Sequence, residues 1–404
     1  MRSKPLSLVE FIALMAMLFA TIAFSIDAML PGLPQMAAEL TPAAPNRIQM
    51  IVTSFVIGMG LATFFIGPLS DALGRRPVLL AGAGLYVLAS LLAWQAQTLE
   101  LLLAARVLQG IGASGPRVVA MAIVRDLYSG RQMARILSLI MMTFTLVPAI
   151  APLFGAWIIS LAGWRAIFLA FVCFSVLIAT WLALRQPESL PVEKRRPLRF
   201  SLMVAALMEM LRHPTVSLAL LAQAFCYTML FSMISLVQPI YDKVFDAAES
   251  FPYWFALVSL IAASASFLNA RLVIRLGMRR LASFAFGTQV VLSLVVTLLW
   301  LAAVPTDIMF GIFIGWQASV FFQTGLTIGN LNALAMEPMG HVAGMAASVI
   351  GSVSTILGAL MAVPIGLVFD GTLLPLSLGI ATACLGAYLA LKAMVRVERR
   401  YPST

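Results

Sequence analysis

Apolar runs of about 20 residues or more recur along the chain and are separated by short polar stretches, the pattern of helices long enough to cross a hydrocarbon core. Counted this way, the sequence predicts twelve spanning helices, near 8–30, 47–69, 78–96, 100–124, 136–160, 165–184, 215–239, 252–273, 281–303, 307–335, 342–368 and 373–395. The fifth and sixth meet in a short turn at Gly163-Trp164. "MRSK" before the first run resembles the charged region of a signal peptide. The run is too long for one, however, and no small-residue cleavage site follows, so a retained first span is expected. One position in that run breaks the pattern. In "FIALMAMLFATIAFSIDAMLPGLP", Phe11 to Pro34, Asp27 lies among apolar neighbours, and the Leu30–Pro34 segment is expected to end the helix just beyond it.

Composition supports the same class. Hydrophobic residues make up 62% of the 404 positions and charged residues 10%, against about a quarter charged in a soluble domain. An all-α, multi-pass membrane protein is expected. The net charge of +10 is organised by topology. If the spans alternate, 21 of the 26 basic residues fall on one side, which places both termini in the cytoplasm and leaves no reason to invoke nucleic acid. Cys173, Cys226 and Cys384 lie in apolar runs with no disulfide or metal spacing, and His213 and His341 are the two histidines. No metal or cofactor is expected, and no nucleophile–base set that would make the chain an enzyme is visible.

The longest hydrophilic stretch divides the chain into an N-terminal six-span half (1–184), a cytoplasmic linker (185–214) and a C-terminal six-span half (215–404). The linker's end, "LRFSLMVAALMEMLRH", reads as an amphipathic helix lying along the membrane face. A faint repeat relates the halves, with "LSDALGRRPVLL" after the second span laid out like "NARLVIRLGMRRLA" after the eighth. Transporters built of two related halves have this organisation, with the substrate site near the midplane.

Three stretches carry chemistry. In "GPLSDALGRRP", Gly67 permits close helix approach, Gly74 permits a tight turn, and Asp71 sits beside Arg75 and Arg76 at a membrane edge. In the fourth span, "LLLAARVLQGIGASGPRVV", Arg106 cannot be neutralised by burial and needs partners or water. Arg117 follows eleven residues later, within about 20° of the same face and about 16 Å deeper, so the two are expected to line a polar interior. Snorkelling of Arg117 toward the membrane edge is the alternative. In the fifth span, "APLFGA" combines Pro152, which bends a helix, with the small residues Ala151, Gly155 and Ala156, which allow tight packing.

These stretches resemble the major facilitator superfamily. "GPLSDALGRRP" is similar to its loop signature, "RVLQG" to its fourth-helix pattern and "APLFGA" to the fifth-helix motif of its antiporters, with alanine for glycine at both ends. "IDAMLPGLP", "VRDLYSG", "GWRAIF" and "LAMEPMGHVAGMAAS" narrow the resemblance to the Bcr/CflA-type drug:proton antiporters of bacteria. That resemblance implies the major facilitator fold, with twelve helices in two pseudo-symmetric six-helix bundles. It also implies export of drug-like compounds in exchange for protons across the bacterial inner membrane. It makes Gly67, Asp71, Gly74, Arg75 and Arg76 a conformational latch in which Asp71 meets the start of the eleventh span.

An acid inside a membrane is a functional site by default. Asp27 is therefore the expected protonation site, tuned by Arg106, which lies at comparable depth on a helix that neighbours the first in the family fold. A static ion pair is the alternative. Substrate is expected to meet some of Arg117, Met141, Met142 and Phe144 in the first half, and Phe225, Tyr227, Phe231, Trp316, Gln317 and Gln323 in the second. Thioethers and aromatics suit varied apolar ligands, although spanning helices carry such residues for packing as well. With one interior acid, neutral or monocationic compounds fit better than dications. The expected partners are a drug-like small molecule, protons and the bilayer, and the chain is expected to act as a monomer. A facilitator or importer of a small metabolite on the same fold remains the other reading.

Overall fold

A computed structural model describes residues 6–400, so Arg2 and Lys4 of the basic N-terminal flank lie outside the described residues. Those residues are helical throughout and contain no strand. The elements are α1 (Leu8–Asp27), α2 (Leu33–Leu40), α3 (Met50–Leu73), α4 (Arg75–Trp94), α5 (Leu99–Leu127), α6 (Gly130–Ala162) and α7 (Ala166–Arg185). There follow α8 (Phe200–Arg212), α9 (Pro214–Lys243), α10 (Phe251–Leu276), α11 (Met278–Leu301), α12 (Thr306–Met336), α13 (Ala343–Leu367) and α14 (Leu374–Arg400). Eleven helical runs are long and apolar enough to cross a membrane, and one of these, Thr306–Leu367, holds both α12 and α13. Each of the twelve predicted spans thus has its helix.

The first span differs from expectation at its end. The prolines do not stop it. Pro31 and Pro34 each sit in the first turn of a new helical segment, where a missing N–H costs nothing. A 3-10 turn over Leu30–Gly32 and then α2 carry the run on to Leu40, which leaves Asp27 at a joint between helices.

Packing divides the chain into Met1–Thr41 with Ser54–Phe200, and Pro42–Thr53 with Ser201–Thr404. These limits follow contacts rather than hydrophilicity. The segment after α7 stays with the first unit through Glu188, which binds the start of α4. Pro42–Thr53 goes with the second unit because the Asn46 amide donates to the Leu367 and Phe369 carbonyls beyond the last turn of α13.

Within the first unit, α1 packs on α5, α6 and α7, and α4 packs on α5 and α7. The second unit repeats this connectivity, with α9 on α12, α13 and α14, and α11 on α12 and α14. Gly74 and Gly277 cap α4 and α11 with φ of 105° and 78°, values that glycine adopts without steric cost. They set the register of the repeat, so Arg76 corresponds to Arg279, one residue away from the pairing suggested by the double arginines.

Close backbone approach fixes α5 in the first unit. A Cβ on Gly110 would overlap the Phe55 carbonyl of α3, and one on Gly112 would overlap α4 at Gly82 and Tyr86. By contrast, a Cβ on Gly84 meets nothing within 4 Å. Gly110→Ala is therefore expected to destabilise the protein by about 1–3 kcal/mol, the usual cost of overpacking. Gly84→Ala should leave the melting temperature unchanged or raised, and thermal unfolding of the two purified variants in detergent checks this.

Candidate functional site

Arg106 is fully buried at the centre of the first unit. Its Nη1 donates to Gln109 Oε1 at 2.5 Å and its Nη2 to the Ser25 carbonyl of α1 at 3.2 Å. The guanidinium also lies 4.3 Å from the ring centroid of Phe55 on α3, a cation–π distance. Gln109 Nε2 donates to Ser90 Oγ of α4 at 2.7 Å, and Ser90 donates to the Tyr86 carbonyl at 2.7 Å. The Tyr86 and Ser25 hydroxyls are 2.5 Å apart, and Ser25 donates to the Thr21 carbonyl, which makes Tyr86 the donor of the pair. Four helices thus converge on one guanidinium through a closed polar network. Gln109 belongs to the fourth-span motif. Ser25, Tyr86 and Ser90 carry no sequence signal, because each is an ordinary residue until the helices are packed.

Asp27, the last residue of α1, is 5% exposed. Among the described residues it makes no hydrogen bond or ion pair, so the expected contact with Arg106 is not formed in this conformation. The reason is helical phase. Arg106 reaches α1 at Ser25, and residues two apart on a helix point to different faces. Gly155 of α6 lies at the joint, since a Cβ there would overlap the Ala28 carbonyl oxygen, immediately after Asp27. The fifth-span motif with Pro152 and Gly155 therefore seats α6 against the end of α1 that bears the acid, and Phe24 meets Phe154 nearby at 6.0 Å.

Arg117 departs from expectation. It is exposed, whereas Arg106 is wholly buried, so the two do not share one enclosed polar stripe. Helix phase relates their directions, but cover by neighbouring helices decides burial.

At the other end of α3 the loop motif forms a compact ionic cluster. Arg75 Nη1 pairs with Asp71 at 2.5 Å and Arg75 Nε with Asp126 at 3.0 Å. Arg75 also donates to Ser70 Oγ, and Ser70 to the Gly67 carbonyl. Glu188 accepts from the backbone N–H groups of Arg75 and Arg76 at 3.0 and 3.1 Å, donors left open at a helix start. The Arg76 side chain reaches the Ala183 carbonyl, and Ser189 donates to Asp126. Asp71 is thus engaged within its own unit. The roles of Asp126, in "VRDLYSG", and of Glu188, in the linker, were not evident in the sequence.

The substrate-cavity candidates do not form one cluster. Met141 and Met142 are exposed on α6, while Phe144 packs near edge-on against Phe19 at 6.1 Å. On α9, Tyr227 and Phe231 stack at 5.5 Å, and Phe225 packs against Gly386. Three candidates on α12 are buried and make hydrogen bonds inside the second unit. Trp316 Nε1 donates to Ser293 Oγ at 3.0 Å, Gln317 Oε1 accepts from Tyr241 at 2.9 Å, and Gln323 Nε2 donates to Thr327 at 3.4 Å.

Twelve apolar helices in two like-connected units, with the loop motif knotted at one end, define a membrane transporter rather than an enzyme. A family model described as Major Facilitator Superfamily matches residues 13–392, and the chain belongs to that superfamily. It is 30% identical over 342 residues to a bicyclomycin resistance protein homolog of Haemophilus influenzae, covering 84% of each chain. It is 29% identical over 347 residues to the multidrug resistance protein MdtL of Shewanella oneidensis, covering 83% of each. These relatives bear out the resemblance read from the motifs. The fold matches the crystal structure of a D-xylose-proton symporter with a TM-score of 0.75 at 12% identity, over 96% of this chain and 97% of the other.

Glu188→Ala removes the acceptor for two N–H groups at the start of α4, and a loss of about 1 kcal/mol is expected from comparable helix caps. Glu188→Gln keeps an acceptor and should recover part of it. Melting temperatures of the two variants in detergent, relative to the parent, check this.

Proposed function

We propose that this protein exports drug-like small molecules across the bacterial inner membrane in exchange for protons, by alternating access, with both termini cytoplasmic. Asp27 is the seat of the coupling proton, and Arg106 is the fixed charge whose grip on α1 responds to it. Gly67, Asp71, Gly74, Arg75 and Arg76 act as a conformational latch, while Pro152 and Gly155 hold α6 against the Asp27 joint. Residues 1–184 and 215–404 act as the two halves, joined by 185–214.

The observation that carries this reading is an internal comparison. Gln109 stands eleven residues after Thr98, the cap of α5, and Trp316 stands eleven after Pro305, the cap of α12. Ser90 and Ser293 each stand sixteen residues after the capping glycines Gly74 and Gly277. The Gln109–Ser90 bond of one unit thus recurs as the Trp316–Ser293 bond of the other. In that register the counterpart of Arg106 is Phe313, and both are fully buried. The same helix pairings form around a neutral residue, so packing does not require the guanidinium. A buried charge that packing does not require, set near an interior acid, supports a coupling role.

Relatives named for bicyclomycin and multidrug resistance support a drug as the cargo. With one interior acid available, neutral or monocationic compounds remain the favoured substrates. The driving force is adequate, since a charge crossing the membrane field gains about 2.3 kcal/mol per 100 mV.

Asp27→Asn is expected to abolish drug-dependent proton flux in sealed inverted vesicles and to return a pump-deficient host to drug sensitivity, while the protein still reaches the membrane. Arg106→Phe should fold, because its counterpart does, yet lose transport by tenfold or more. Undiminished proton-coupled efflux by the Asp27 variant would remove the assignment.

A further inference from the structure

Outside the spanning helices, α8 stands apart. It has thirteen residues and is not among the runs long and apolar enough to cross a membrane. One face, Met203, Ala206 and Met210, is buried. The helix is tied to its own unit by Ser217 Oγ, which donates to the Leu211 carbonyl at 2.6 Å, and by Glu209 against His341 at 2.9 Å.

Its other apolar residues have no cover. Val204, Met208 and Leu211 recur at helical spacing and form a second stripe, with Met208 44% and Leu211 48% exposed. A surface helix with one buried stripe needs no second one for folding, and an exposed apolar stripe marks an interaction site.

The charge around that stripe is one-sided. α8 leads directly into α9, so it lies at the end of the unit where α9 begins, α10 ends, α11 begins and α14 ends. Exposed Arg212, Arg271, Arg275, Arg280 and Arg396 and Lys392 occupy this end. Of the acids there, Glu209 is engaged by His341, and Glu337 stands at the junction of α12 and α13.

We propose that this end of the second unit binds an anionic phospholipid, with the α8 stripe among the acyl chains and the arginines on the headgroup phosphate. The two features select the same ligand. An apolar stripe alone accepts any lipid or protein, and a basic surface alone accepts any anion. A helix presenting both at a membrane protein's basic end matches a molecule with a phosphate at one end and hydrocarbon at the other. Arginine suits the headgroup because its planar fork binds phosphate through two hydrogen bonds. The site is independent of the transport reading, since it involves neither Asp27 nor Arg106.

The test uses the full-length protein purified in detergent and titrated with dioleoyl phosphatidylglycerol or dioleoyl phosphatidylcholine, with retained lipid read by native mass spectrometry. Phosphatidylglycerol should be retained at least about tenfold better, as expected for several arginines at a headgroup. The combined Arg212→Gln, Arg271→Gln and Arg275→Gln variant should lose that preference, and higher salt should weaken it in the parent. Met208→Glu should lower retention of both lipids. Unchanged melting temperatures show that each variant is folded. Equal retention of the two lipids by the parent, full retention of phosphatidylglycerol by the triple variant, or a second protein chain in place of lipid would each overturn the proposal.

Discussion

A guanidinium inside a bilayer keeps its charge, so the protein must supply the solvation that water would otherwise provide. Much of the first unit can be understood from that requirement at Arg106. The acceptors come from α1 and α5, and the aromatic face comes from α3. The Tyr86 and Ser90 hydroxyls that lock those acceptors come from α4. Four helices can converge this closely only where side chains are absent, and the glycines of α5 stand at the crossings with α3 and α4. Small residues and a polar centre are the two halves of one solution, because helices in lipid associate through close packing and interhelical hydrogen bonds.

The same economy governs the basic end of that unit. Glu188 closes the start of α4 from a distant segment, and Arg75 is shared between Asp71 beside it and Asp126 at the end of α5. Three segments far apart in sequence are therefore held by one turn. A change in the protonation or position of any of these carboxylates would be felt by the others, which is the physical content of a latch.

The two units form a natural pair of experiments. Their connectivity and capping glycines agree, and a hydrogen bond recurs at the matching positions, but one centre is ionic and the other neutral. The neutral centre holds Trp316 and the amides of Gln289 and Gln317, with some amide atoms buried and without partners among the described residues. Evolution of a duplicated bundle can thus assign charge handling to one copy while keeping the packing of both.

Hydrophobicity alone determined the number of spans, their order and the basic side of the topology. Each depends on composition over about 20 residues, and neighbours in space do not alter it. Motif spacing was also legible. Gly74 is a turn glycine, Arg106 is a buried charge in need of partners, and Asp27 is an acid in an apolar run. Contact was decided elsewhere. Depth and helix order suggested that Asp27 touches Arg106, yet the guanidinium reaches Ser25 two residues earlier. Arg117 shares a predicted face with Arg106 and is nonetheless exposed. Pro31 and Pro34 looked like the end of a helix and proved to be starts. A rotation of about 100° per residue separates such outcomes. It is set by how neighbouring helices close over a site, which only the tertiary structure contains.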